Sequence, residues 1–136
     1  MLDLKSLSVD PKTFEDGKRI ELGDGAYIGV RSTSSIRANK VRERLFKPYA
    51  NWRQVPDDVL ARLNAEWLAE GILTEFHGFA QGGQPIEIDL TKVEDQKRLA
   101  SLLKQAPYKA LRSRILTIAM DEANFQAAED AAAEEN

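Results

Sequence analysis

Trp67–Ile86 constrains the fold more than any other stretch of this chain, because the spacing of apolar residues changes on either side of it. Before Trp67 and after Thr91 apolar side chains recur every three or four residues, the period of helices. In between, Phe76 and Phe79 lead into Gly82-Gly83 and then Pro85-Ile86-Glu87-Ile88, a tight turn followed by a short extended piece. The stretch therefore acts as a hinge between helical segments. The helix entering it opens at Pro56-Asp57-Asp58, where proline suits the first turn and the carboxylates suit the positive end of the dipole. Leu60, Leu63, Trp67 and Leu68 give it an apolar face. It should reach Gly71, which costs about 1 kcal/mol inside a helix, or run on through Ile72-Leu73 to Phe76.

The remaining elements follow from the same reasoning. Residues 1–17 form an N-terminal arm whose Leu2, Leu4, Leu7, Val9 and Phe14 could dock on a body or be carried on a mobile segment. Ile20 and Leu22 alternate with polar residues before Gly23-Asp24-Gly25, and Ala26, Ile28 and Val30 alternate after it. That pattern predicts a β-hairpin. Thr33-Ser34-Ser35 offers caps for a helix from Ile36 to Tyr49 that Pro48 ends or kinks. Thr91 and Glu94 match a capping box, and Leu99, Leu102 and Leu103 form the apolar face of the helix that follows. A last helix runs from Pro107 to about Phe125, with Leu111, Ile115, Ile118 and Ala119 on one stripe. Residues 127–136 hold only Ala, Glu, Asp and Asn, which predicts a frayed or disordered acidic tail. The fold class is mainly α, α+β overall, with a short N-terminal β-hairpin followed by a compact bundle of about four helices. Residues 18–126 make up this single domain.

Composition narrows the chemistry. The chain has 136 residues, enough for one domain with a real core, and 43% are hydrophobic. No cysteine is present, which removes disulfides, thiolate metal sites and a cysteine nucleophile. His77 is the only histidine, so neither a Ser-His-Asp arrangement nor most metal sites find partners for it. Asp57-Asp58 already serves a helix N-terminus, and Asp121-Glu122 is an ordinary acidic pair. Gly23-Asp24-Gly25 and Gly82-Gly83 match turns and no phosphate-binding pattern. The sequence thus predicts no enzyme and no cofactor. The N-terminus has no basic region followed by an apolar run, and no segment approaches the roughly 20 apolar residues of a bilayer span. A soluble intracellular protein with no membrane partner is expected.

Charge is unevenly distributed. Arg37, Lys40, Arg42, Arg44, Lys47 and Arg53 crowd the first long helix and its exit, against Glu43 alone. Lys97, Arg98, Lys104, Lys109, Arg112 and Arg114 form a second basic region with no acid among them, whereas the charges from Asp121 onward are all acidic. A net charge of −3 and the lack of a base-reading motif argue against nucleic acid and for a protein partner. The candidate partner-binding residues are Trp52, Phe76 and Phe79, with Arg42, Arg44, Arg112 and Arg114 from the two basic regions. Trp67 is expected in the core.

The run Ala69-Glu-Gly-Ile-Leu-Thr-Glu-Phe-His-Gly-Phe79 is followed by Gln81-Gly-Gly-Gln-Pro-Ile86 and by a helix with Leu102-Leu103. Ile115, Ala119 and Asn124-Phe125 come next. This order resembles the tail assembly chaperones of long-tailed bacteriophages, across residues 18–126 and including the hairpin. The chain departs from the family pattern at Phe76, where tryptophan is preferred, and at Gln81-Gly82-Gly83, where Asp-Gly is preferred. It departs again at Val93-Glu94-Asp95, in place of a Glu-Asn pair. The resemblance implies a non-enzymatic chaperone in the host cell cytoplasm that is absent from the mature virion. It implies binding to the tape measure protein, keeping it soluble, and recruitment of the tail tube protein. In many phages of that kind a longer product arises by ribosomal frameshifting near the end of the reading frame, and Ala131-Ala-Ala-Glu-Glu-Asn136 is a place where such an extension could branch off. The separated charges add the expectation of a salt-sensitive homo-oligomer, with the acidic tail of one copy on a basic helix of another. The competing readings are a minor structural component of the tail and, behind it, a nucleic-acid-binding regulator that uses the basic helices.

Overall fold

The computed structural model describes residues 1–126; the expectations for the acidic tail and for a branch point near its end lie outside the described residues. The chain is α+β. It comprises α1 (Pro11–Asp16), β1 (Lys18–Gly23), β2 (Ala26–Val30), α2 (Ile36–Phe46), α3 (Asp57–Trp67), β3 (Leu73–His77), β4 (Phe79–Gln81), β5 (Gln84–Ile86), α4 (Val93–Leu103) and α5 (Lys109–Met120). Short 3-10 turns occur at Leu4–Leu7, Lys47–Tyr49, Ala106–Tyr108 and Glu122–Phe125, and a π-turn extends α3 over Leu68–Ile72.

The alternation around Gly23-Asp24-Gly25 forms the predicted hairpin. Gly23 pairs with Ala26, and Asp24 and Gly25 both have positive φ, as a two-residue turn with the right twist requires. The hairpin gains a third strand. β3 runs antiparallel to β2, in the order β1-β2-β3. Ile20, Ile28 and Phe76 lie opposite one another on the inner face, while Arg19, Tyr27, Glu75 and His77 occupy the outer one. Of the two ends expected for this helix, Gly71 or Phe76, the first is nearly right: it stops at Ile72, and the reason is non-local, because residues 73–77 find backbone partners on β2. Gly71 does not break the helix but lies inside the π-turn. A Cβ there would stand 3.1 Å from both Val41 Cβ and Trp67 Cδ1, so glycine lets the turn sit directly on α2.

The C-terminal carbonyls of that turn are closed by arginines. Arg31 Nη1 donates to Gly71 O at 3.1 Å, Arg37 Nε donates to Glu70 O at 3.3 Å, and the Arg31 N–H donates to Ile72 O at 2.9 Å. Burial lowers the pKa of Arg31, the expected effect of taking a cation out of water.

From Val9 to Gly17 the N-terminal segment is docked. Phe14 packs edge-on against Phe125 with ring centroids 6.2 Å apart, Asp10 N donates to Phe125 O, and the Glu15 carboxylate accepts from Ile36 N at the start of α2. Ser35 caps the same helix by accepting from Ala38 N. The proposed capping box at Thr91 and Glu94 does not form. α4 begins at Val93, so Lys92 is the cap, and Thr91 Oγ1 donates to Asp89 instead. Asp95 does the closing, accepting from Asp89 N at 2.9 Å and pairing with Arg98. α5 stops at Met120 rather than near Phe125, and Asp121 caps the 3-10 turn that returns Phe125 to the interior. The core joins Ile28, Val30, Leu68, Ile72, Leu99, Leu103, Ile115 and Phe125, and the indole N–H of half-buried Trp67 donates to Ala38 O across it.

Candidate protein-binding surface

The residues selected from the sequence do not form one patch; they differ in place and in depth. Trp52 lies on the connection between α2 and α3, 52% exposed and edge-on to Tyr49. Arg42 and Arg44 are exposed on α2. Arg42 lies over the rings of Phe46 and Trp67, and Arg44 pairs with Glu70. Arg114 is exposed on α5.

Phe76 and Arg112 are corrections. Phe76 is only 4% exposed, on the inner sheet face, and its ring stacks on Phe79 at 3.9 Å between centroids. Arg112 is 8% exposed and points inward, donating to Leu103 O and, at 3.1 Å, to Gln105 O. Alternation along β3 put Phe76 inside. A charged side chain ordinarily lies at the surface, and Arg112 departs from that rule. Here its guanidinium finishes the hydrogen bonding of the end of α4.

Phe79 remains half-exposed and links sheet to hairpin. It pairs across β4–β5 with Ile86, and Gly82-Gly83, both at positive φ, close that hairpin. The hairpin lies beside α4 and is tied at two points, to the turn that follows α4 and to α4 itself. Gln81 Nε2 donates to Tyr108 Oη at 2.9 Å, and Arg98 Nη1 donates to Glu87 O at 3.3 Å. A two-stranded ribbon of this length is marginal in water unless packed, so these contacts and the apolar floor decide its position. Clefts open on both sides of it. The wider, about 730 Å³, has Phe76, Phe79, Ile86 and Ile88 in its walls and carries carboxylates at Glu87, Asp89 and Asp95 alongside Lys92 and Arg98. The carboxyls of Asp89 and Asp95 are held below their ordinary range, the first by bonds from Thr91, the second by bonds from Asp89 N and Arg98. The narrower cleft, about 480 Å³, is lined by Pro85, Ile86, Ile88 and Leu102, with Lys97, Arg98, Ser101 and the amides Gln81 and Gln105. Its charged side chains are all cations.

Ile86, Ile88 and Ser101 line this cleft without being marked as contact residues by the sequence, whereas Lys97 belongs to its second basic region. The available signal was the spacing of Lys97, Ser101 and Lys104 at i, i+4 and i+7, one stripe of α4. What could not be read was that a hairpin would come to lie beside that stripe.

His77 is exposed and stacks on Tyr27 at 4.8 Å, and the Arg19 guanidinium lies 3.9 Å from the Tyr27 centroid. The hydrogen bond from Arg19 to Glu75 raises the pKa of that arginine. This cross-strand ladder covers the outer sheet face and offers no nucleophile. Among the described residues, no three His, Cys, Asp or Glu side chains gather as a metal site would require, and no helix is long and apolar enough to cross a membrane. Compared with protein-family models, curated proteins and solved structures, the chain matches none.

Proposed function

We propose that this protein is a tail assembly chaperone of long-tailed bacteriophages, which binds the tape measure protein, keeps it soluble and promotes assembly of the tail tube by non-covalent contacts in the host cytoplasm. The observation that carries the reading is the resemblance across residues 18–126, in the order hairpin, Ala69–Phe79, Gln81–Ile86, Leu102-Leu103 and Asn124-Phe125. It is supported by the way those pieces meet. Ile72, Leu73, Phe76, Leu103, Ile115, Ala119 and Phe125 belong to one core, so the resembling residues are the ones that hold the architecture together. A holdase for a long helical client needs apolar anchors beside soluble charge, and the hairpin–α4 clefts supply both kinds of surface. Co-expression tests the proposal. A tape measure fragment that is insoluble alone should become soluble with this chain, and no change in solubility would remove the reading. Finding the chain as a stoichiometric component of purified virions would instead favour a structural tail protein.

A further inference from the structure

We infer that the outer edge of β1 is a docking edge for a second copy of this chain, which adds its own β1 antiparallel about a twofold axis through Ile20. The inference is independent of the chaperone reading. Among the described residues β1 is paired on one side alone, in the order β1-β2-β3, so alternate backbone N–H and C=O groups of the strand face outward. No proline interrupts it. Lys18, Arg19 and Glu21 are exposed, while Ile20 and Leu22 pack against the core from the edge and keep part of their surface in water. An edge of this kind accepts another strand, and its side chains say which one.

Residues opposite one another in an antiparallel pair lie on the same face of the sheet, so a twofold pairing of β1 with itself centres on a residue. Centred on Lys18, Arg19 or Glu21, it sets a like charge against itself. Centred on Leu22, it runs into the turn that begins at Asp24. Centred on Ile20, it sets Arg19 against the partner's Glu21, Ile20 against the partner's Ile20 and Glu21 against the partner's Arg19, so that charges alternate in sign around the axis. Lys18 and Leu22 meet at either end, where the lysine stem covers the leucine. Arg19 is already held on the outer sheet face by Glu75 and the Tyr27 ring, which leaves less side-chain freedom to lose on pairing. Glu21 forms no ion pair among the described residues. The bulge between Glu21 and Gly23 falls outside the three central pairs. The product is a six-stranded sheet across two copies, and it uses neither the basic helices nor the acidic end.

Sedimentation equilibrium on the full chain tests the pairing. The parent should be a dimer that dissociates on dilution. Glu21→Arg and Arg19→Glu, each first shown to unfold cooperatively, should each weaken self-association by at least about tenfold, because twofold symmetry counts every change twice. Mixed together, the two variants should pair with each other about as tightly as the parent pairs with itself, since their altered edges are opposite in charge. The chain contains no cysteine, so Ile20→Cys supplies a single thiol on the axis. Mild oxidation should link it to its mate, because directly opposite Cβ atoms lie about 4.5–5.5 Å apart, whereas Lys40→Cys on α2 should stay unlinked. A parent that remains monomeric up to about 1 mM chain, a dimer indifferent to Glu21→Arg, or variants that fail to pair when mixed would overturn the assignment. So would equal linking through Lys40→Cys. Loss of the dimer when Glu129, Asp130, Glu134 and Glu135 are changed to their amides would also overturn it and would assign the contact to the acidic end.

Discussion

Arg112→Met should destabilise the protein by about 2–3 kcal/mol, and the figure follows from counting carbonyls at the end of α4. The last four carbonyls of α4, Ala100 to Leu103, each need a donor from beyond the helix. Ala100 O accepts from Lys104 N, Ser101 O from Gln105 Nε2 and Leu102 O from Gln105 N. Leu103 O depends on Arg112, whose guanidinium also reaches Gln105 O. Methionine preserves much of the arginine stem and its packing but donates nothing. Gln105 is exposed, so water can replace its lost bond at little net cost. The bond to Leu103 O is buried, and an orphaned carbonyl there costs about 1–3 kcal/mol on top of the lost charge-assisted bond. With a urea slope of about 1.5–2 kcal/mol/M, the midpoint should fall by about 1–2 M at unchanged slope. Arg112→Lys should fall in between, because both bonds come from Nη1 and an ammonium has donors for both carbonyls, but it sits on a shorter stem and reaches them less well. A midpoint shift in Arg112→Met below about 0.3 M would refute the count and return Arg112 to the list of surface residues available to a partner.

Three further outcomes test other parts of the structure. Phe76→Ala should cost about 3–5 kcal/mol in urea unfolding, because it empties the inner sheet face, whereas Trp52→Ala should stay within about 1 kcal/mol; the reverse order would contradict their assigned depths. Gly78→Ala should destabilise by more than about 1 kcal/mol, since φ there is +83° and a Cβ would stand 2.6 Å from the Gly25 carbonyl oxygen, a backbone atom that cannot swing aside; a neutral thermal melt would refute this. Asp89 and Asp95 have folded-state pKa values below their unfolded ones, so their contribution is present above the ordinary carboxylate range and is lost as the pH falls through and below it. The double variant D89N/D95N should therefore lose less stability than the parent on acidification from neutral pH to below that range, and parallel losses would show that the loop before α4 is not held by these carboxylates.

Most helix starts and the two glycine turns were local problems, and local chemistry solved them. Ser35 caps α2, Pro48 ends it, Asp57 and Asp58 open α3, and Asp24-Gly25 and Gly82-Gly83 form two-residue turns between paired strands. Each depends on interactions within a few residues, where φ limits, caps and dipoles act. Thr91 shows where this runs out. The right residue types stood at the right spacing, yet Asp89 took the hydroxyl and moved the helix start.

What needed the tertiary structure was every choice between equal local options. Leu73–His77 carries a short apolar pattern that fits a helix end or a strand, and only the free edge of β2 decides for the strand. Phe76 followed that decision into the core, and Arg112 followed the open end of α4. The hinge at Trp67–Ile86 was visible as a change of period along one chain. The cleft it creates was not, because Ile86 and Lys97 lie on different elements and share a cleft only once the hairpin lies beside α4. Side-chain period reports which face of an element is apolar; what that face meets depends on contacts between elements, and those follow from how the whole core closes.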